Sequence, residues 1–161
     1  MKNYENLHDL LAAGKWKEAD QETVNSMLKV AKREKEGWFR VEDIDNFPCE
    51  DLRTIDQLWV KYSNGKFGFS VQKQIFISLG GTKKYNKKVW EAFGDKVGWR
   101  QEGKWLWYDD LTFSLDAHYT GHLPGRSIFG RERPRSFSIP EFLSLITNFS
   151  PVAQRLVDCS I

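Results

Sequence analysis

Few residues in this chain have the type and spacing that catalysis requires. The three histidines, His8, His118 and His122, fall in no HExxH, HxH or His-plus-Cys arrangement that would hold a metal ion. Glu50-Asp51 and Asp109-Asp110 are adjacent acid pairs, but neighbouring side chains diverge on a helix, and Glu50-Asp51 reads more simply as first-turn charge. Gly65, Gly68, Gly80 and Gly81 match neither the Walker nor the dinucleotide spacing, so no phosphate cradle is expected. Catalysis and protein-bound metal are therefore not expected.

Binding chemistry is better represented. The chain carries 7 Trp, 11 Phe and 5 Tyr, which suits either an aromatic core or walls for a flat apolar ligand. Val60, Phe67, Phe69 and Trp99 are candidate wall residues. Leu123, Ile128 and Phe129 are candidates for closing over a ligand, and Arg126, Arg131, Arg133 and Arg135 for pairing with its carboxylates. A solvated loop is the alternative reading of the arginines, and core packing that of the rings.

The elements that must position these residues are mostly helical. Leu7, Leu10 and Leu11 have helical spacing, and an amphipathic helix is expected from Trp16 to about Lys35. A short turn with Val41 and Ile44 follows. Pro48 and the two acids open a helix whose buried face is Leu52, Ile55 and Trp59, and Asn64-Gly65 stops it. A further helix should run from after Gly68 to Gly80-Gly81, and another from Asn86 to Gly94. Residues 97–115 alternate in a way that fits a short hairpin or an irregular aromatic segment. Tyr119 to Phe137 has no period and reads as a long loop, before a helix through Phe142 and Ile146 and a last short one opened by Ser150-Pro151. The fold expected is all-α, a single domain over residues 1–161 with six to eight helices.

Bulk properties narrow the class. At 161 residues the chain can bury a core without disulfides or metal. Its net charge of +2 is too mild to imply nucleic acid. Cys49 and Cys159 are expected to remain separate thiols, as in a reducing compartment. The N-terminus resembles neither a signal nor a transit peptide, and no window is apolar enough to cross a membrane. A soluble cytoplasmic monomer is expected, with peripheral membrane contact or a mature chloroplast form left open.

Five ordered motifs carry a resemblance. Gly14-x-Trp16-x-Glu18-Ala19-Asp20-x-Glu22-Thr23, Phe47-Pro48-Cys49-x-Asp51-Leu52-x-Thr54-Ile55-Asp56-x-Leu58-Trp59, Ser63-x-Gly65-x-Phe67-Gly68-Phe69-Ser70-Val71-Gln72, Val97-Gly98-Trp99 and Gly121-His122-Leu123-Pro124 together look like the Genomes Uncoupled Four family. The resemblance implies an all-helical cupped-hand domain that binds porphyrins such as protoporphyrin IX and its magnesium complex. It also implies a regulator that stimulates magnesium chelatase through the large porphyrin-binding subunit of that enzyme, in the service of chlorophyll synthesis, and that is not itself an enzyme. Its pocket would lie between the loop after the Trp59 helix and the long loop after Gly121-His122-Leu123-Pro124. His122, within a family motif, is expected to order that loop by hydrogen bonds rather than to ligate a metal. The family motifs start almost at Met1, so a stand-alone relative without the N-terminal helical bundle of cyanobacterial activators is expected. The alternatives are a module for another tetrapyrrole, such as a bilin or haem, or an interaction module that has lost its ligand.

Overall fold

The computed structural model describes residues 3–125 and 148–161. Seven α-helices and one very small sheet make up the regular structure of these residues: α1 Glu5–Ala12, α2 Trp16–Val30, α3 Val41–Asp45, α4 Cys49–Tyr62, α5 Phe69–Ser78, α6 Lys87–Val97, β1 Arg100–Gln101, β2 Lys104–Trp105, a 3-10 turn Tyr108–Asp110 and α7 Ser150–Asp158. The fold is all-α, as expected. α1 packs on α2 and α4, α5 lies between α6 and α7, and α3 closes against α7.

The core forms where the apolar stripes meet. Leu52, Ile55 and Trp59 of α4 are buried with Leu7 and Leu11 of α1 and with Ala19 and Met27 of α2. Around Phe93 a second group assembles, in which its ring stacks on Phe149 at 5.1 Å and meets Phe76 and Trp99 edge-on at 5.5 and 5.6 Å. Offset and edge-on contacts are the favoured geometries of aromatic quadrupoles. They explain how an aromatic-rich chain packs densely without parallel sandwiches.

Two helix ends differ from the spacing-based expectation, each for a local reason. α2 stops at Val30, not near Lys35, because Lys32 adopts the left-handed conformation at φ 56°. The Arg33 N–H then donates to Leu28 O at 2.8 Å and the Lys32 N–H to Lys29 O at 3.2 Å, the paired bonds of a Schellman ending. What holds the Arg33 turn is its guanidinium, which sits 4.7 Å over the Trp38 ring and reaches Glu36 at 3.2 Å and Asp43 at 3.4 Å. α6 runs through Gly94 to Val97. Gly94 serves packing rather than termination, since a Cβ there would come within 2.5 Å of the Trp105 ring.

Both readings of residues 97–115 hold in part. Arg100 and Gln101 pair with Trp105 and Lys104 in an antiparallel hairpin two residues deep, turned by Glu102 and Gly103 at φ 50° and 78°. Beyond it the chain is irregular apart from the 3-10 turn.

Cys49 and Cys159 correct an expectation. They are not separate thiols but a disulfide, with Cα atoms 5.3 Å apart across a sequence separation of 110 residues. The spacing gave no hint, because the pairing depends on α7 returning beside the start of α4. Arg155 reinforces that return by donating to Phe47 O at 2.8 Å, and Arg53 does so by donating to Cys159 O at 2.7 Å. Closing so long a loop removes conformational freedom from the unfolded chain, worth about 5 kcal/mol in the chain-entropy account. Reduction, or Cys159→Ser, should lower Tm by on the order of 10 °C. Thermal denaturation followed by circular dichroism with and without a reductant checks this.

Candidate functional site

A buried carboxylate on α2 organises the site. Asp20 is fully buried. Its oxygens accept from the Gly125 N–H at 3.0 and 3.1 Å and from the Tyr108 hydroxyl at 3.1 Å. One turn further on, Thr23 donates to Ala19 O at 2.8 Å while accepting from the Trp59 indole N–H at 2.9 Å. Two polar residues on the inner face of α2 thus tie together α4, the 3-10 turn and the segment 121–125.

That segment, Gly-His-Leu-Pro-Gly, is pinned along its length. Gly121 N–H donates to Lys66 O at 2.8 Å, and Leu123 O accepts from Gly68 N–H at 3.0 Å. The Gln72 amide donates to Gly121 O and Pro124 O at 3.0 and 2.8 Å, and the Trp99 indole donates to His122 O at 2.7 Å. His122 donates through Nδ1 to Val97 O at 2.6 Å and accepts through Nε2 from Thr112 N–H at 2.9 Å. Only the neutral ring with its proton on Nδ1 satisfies both partners, and neither nitrogen is left for a metal. Burial, assisted by the charge on Lys66, holds the His122 pKa below the ordinary imidazole range. Among the described residues, no group of three or more His, Cys, Asp or Glu could hold a metal ion.

The candidate wall residues Phe67, Phe69 and Trp99, and Leu123 of the candidate cover, are interior. Phe67, Phe69, Trp99 and Leu123 have no exposed surface. Phe67 meets Trp16 and Trp59 at 5.6 and 6.4 Å. They form the interior on which the pinned segment rests. Val60 is half-buried, with its methyl filling the space beside Gly68, where a Cβ would approach it to 2.8 Å. Phe69 is turned inward by the start of α5: Asp56, on α4, accepts from the Ser70 N–H at 2.8 Å, and Gly68 takes φ 128° to allow it. Burial pushes the Asp56 carboxyl above the usual range, against the opposing backbone bonds. Arg126, Ile128, Phe129, Arg131, Arg133 and Arg135 lie outside the described residues.

Concave surface among the described residues is found instead around the connection from α2 to α3, residues 31–40. One depression of about 400 Å³ is lined by Gln21, Val24, Asn25, Leu28, Glu34 and Gly37. A second, of about 270 Å³, lies between Val30, Ala31, Arg40, Asp43, Asn46, Phe47 and Pro48. Arg40 donates to Asp43 at 2.7 and 3.1 Å, and this pairing holds the Asp43 carboxyl below the usual range. These residues were missed because α2 was read as running to Lys35, which conceals a turn there. The available signal was Gly37-Trp38, a glycine followed by a half-buried indole.

Helical packing around a pinned Gly-His-Leu-Pro-Gly segment defines a known class. The chain superposes on the structure of GUN4 from Chlamydomonas reinhardtii with a TM-score of 0.68 and 28% identity, over 98% of this chain and 88% of that one. A GUN4-like family model matches residues 1–136. Protein ycf53 of Porphyra purpurea is 40% identical over 124 residues, 76% of this chain and 49% of its own. The tetrapyrrole-binding protein, chloroplastic, of Arabidopsis thaliana is 31% identical over 129 residues, 73% of this chain and 46% of its own. The chain belongs to the GUN4-like family, and it spans about half the length of these curated relatives.

Two outcomes follow from the buried polar groups. Asp20→Ala leaves the Gly125 N–H and the Tyr108 hydroxyl without that acceptor, and should cost roughly 2–5 kcal/mol, whereas Asp20→Asn, which keeps an acceptor, should cost less. Urea denaturation of the two variants checks the order. His122 binds a proton less readily folded than unfolded. Its contribution to stability is therefore complete above the unfolded value near 6.5 and is lost as pH falls below it toward the folded pKa. Stability should drop as pH falls below about 6.5, with a smaller drop in His122→Gln, measured as Tm against pH.

Proposed function

We propose that this protein binds a tetrapyrrole, of the protoporphyrin IX or magnesium protoporphyrin type, and stimulates magnesium chelatase through that enzyme's porphyrin-binding subunit. It does so as a regulator rather than an enzyme. The observation that carries this reading is membership of the GUN4-like family together with the named relative in Arabidopsis thaliana. The geometry is compatible with it. The α2 depression is open and shallow, with half-buried Val24 and buried Leu28 for apolar contact. Gln21 and Asn25 at its rim are exposed donors for ligand carboxylates. Arg126, Arg131, Arg133 and Arg135 retain their proposed role as partners for propionates, and Ile128 and Phe129 theirs as apolar cover. Val60 keeps a contact role. Phe67, Phe69, Trp99 and Leu123 are reassigned to supporting the site from beneath. Apolar burial supplies most of the affinity, at ~25 cal/mol per Å² before the entropic cost of association.

His122, engaged at both nitrogens, gives haem no axial ligand.

A water-soluble porphyrin should quench tryptophan fluorescence saturably, and absence of quenching at tens of micromolar would overturn the reading. Val24→Asp should weaken the apparent Kd about tenfold or more at unchanged Tm, since it places a charge against an apolar ligand face. Phe69→Ala should instead lower Tm, at a cost of roughly 3–5 kcal/mol. Titrations with a bilin and with haem, and chelatase assays with and without the protein, distinguish the ligand and the partner.

A further inference from the structure

The connection between α5 and α6 gathers charge in one place. Residues 82–88 read Thr-Lys-Lys-Tyr-Asn-Lys-Lys, and all seven are exposed. No acid occurs from Gly80 to Trp90, and the four lysines exceed the net +2 of the whole chain, so the remainder is on balance negative. Among the described residues Lys87 has a carboxylate at its limit of reach, Glu91 at 4.0 Å, whereas Lys83, Lys84 and Lys88 have none.

These charges are held in place at some cost to the helix. Lys87 and Lys88 occupy the first turn of α6, where the positive end of the helix dipole disfavours cations. Asn86 caps the helix there by accepting from Val89 N–H at 3.2 Å, and the Thr82 hydroxyl bonds both the N–H and the carbonyl of Lys84 at 3.3 Å. The same corner exposes apolar surface. Of the five large apolar side chains exposed among the described residues, Ile77 in the last turn of α5 is 47% exposed and Tyr85 is 52% exposed.

We propose that this corner is a docking surface for an anionic lipid bilayer. The kind of cation favours lipid over protein: protein interfaces are enriched in Arg and depleted of Lys, and here all four cations are Lys. Lysine is a hydrated point charge on a long stem, suited to a diffuse layer of phosphates, and each one near an anionic leaflet strengthens binding about fivefold. A phenol flanked by such charges sits at headgroup depth, its ring in apolar surroundings and its hydroxyl in water. Attachment would be peripheral, since no helix of the described residues is long and apolar enough to cross a membrane.

Flotation of the full chain with phosphatidylcholine vesicles, with and without about one third phosphatidylglycerol, tests the proposal. The protein should float only with the anionic vesicles, and salt near 1 M should release it, because the Debye length then falls to about 3 Å. Combined Lys83→Gln, Lys84→Gln, Lys87→Gln and Lys88→Gln should lower partitioning by nearly three orders of magnitude at unchanged Tm. Lys61→Gln with Lys96→Gln, exposed lysines elsewhere, should change it far less. Equal flotation with neutral vesicles, or a quadruple variant that floats like the parent, would overturn the assignment. So would capture on immobilised polyglutamate without flotation, which would point to an acidic protein face.

Discussion

The site depends on a carboxylate with no exposure to water. Asp20 can remain buried only while hydrogen-bond donors surround it, because an unsatisfied buried carboxylate is far too costly to persist. Gly125 and Tyr108 provide such donors from two separate stretches of chain. The requirement runs in both directions: the acid fixes where those stretches go, and they in turn make its burial tolerable. The Gly125 N–H is the point at which this acid holds segment 121–125 to α2.

His122 and Gln72 apply the same logic one layer further in. Each is buried, and His122 spends both ring nitrogens and Gln72 its amide nitrogen on backbone groups that no helix or sheet would otherwise satisfy. Side chains thus take over the role of regular secondary structure across residues 98–125. The tiny hairpin and the 3-10 turn are sufficient only because indole, imidazole and amide groups supply the missing partners. Gln72 Oε1 is the one buried side-chain atom without a partner among the described residues.

Helices were largely legible in the residue pattern because their burial is periodic. Leu52, Ile55 and Trp59 declare a face, and Asn86 declares a start, without reference to anything distant. What was not legible is which aromatic rings face inward. Phe67 and Phe69 have spacing compatible with either side, and their direction is decided by Asp56 capping α5 fourteen residues from its partner Ser70. The disulfide and the site on α2 were hidden for a related reason. One needs α7 to return to α4, and the other needs α2 to end early at a left-handed lysine, a position where glycine is the usual signal. The disulfide is set by tertiary geometry and leaves no local trace.

The disulfide divides the molecule in a way that its helix packing does not. Joining Cys49 to Cys159 encloses α4, α5, α6 and α7 in one covalent ring and leaves α1, α2 and α3 outside. Asp20 belongs to the outer part, while Gly125 and Tyr108 belong to the ring. Their hydrogen bonds therefore form a seam between a tethered half and an untethered one. A break in the backbone inside the ring leaves its fragments attached, but nothing covalent except the chain itself holds α2 to the seam.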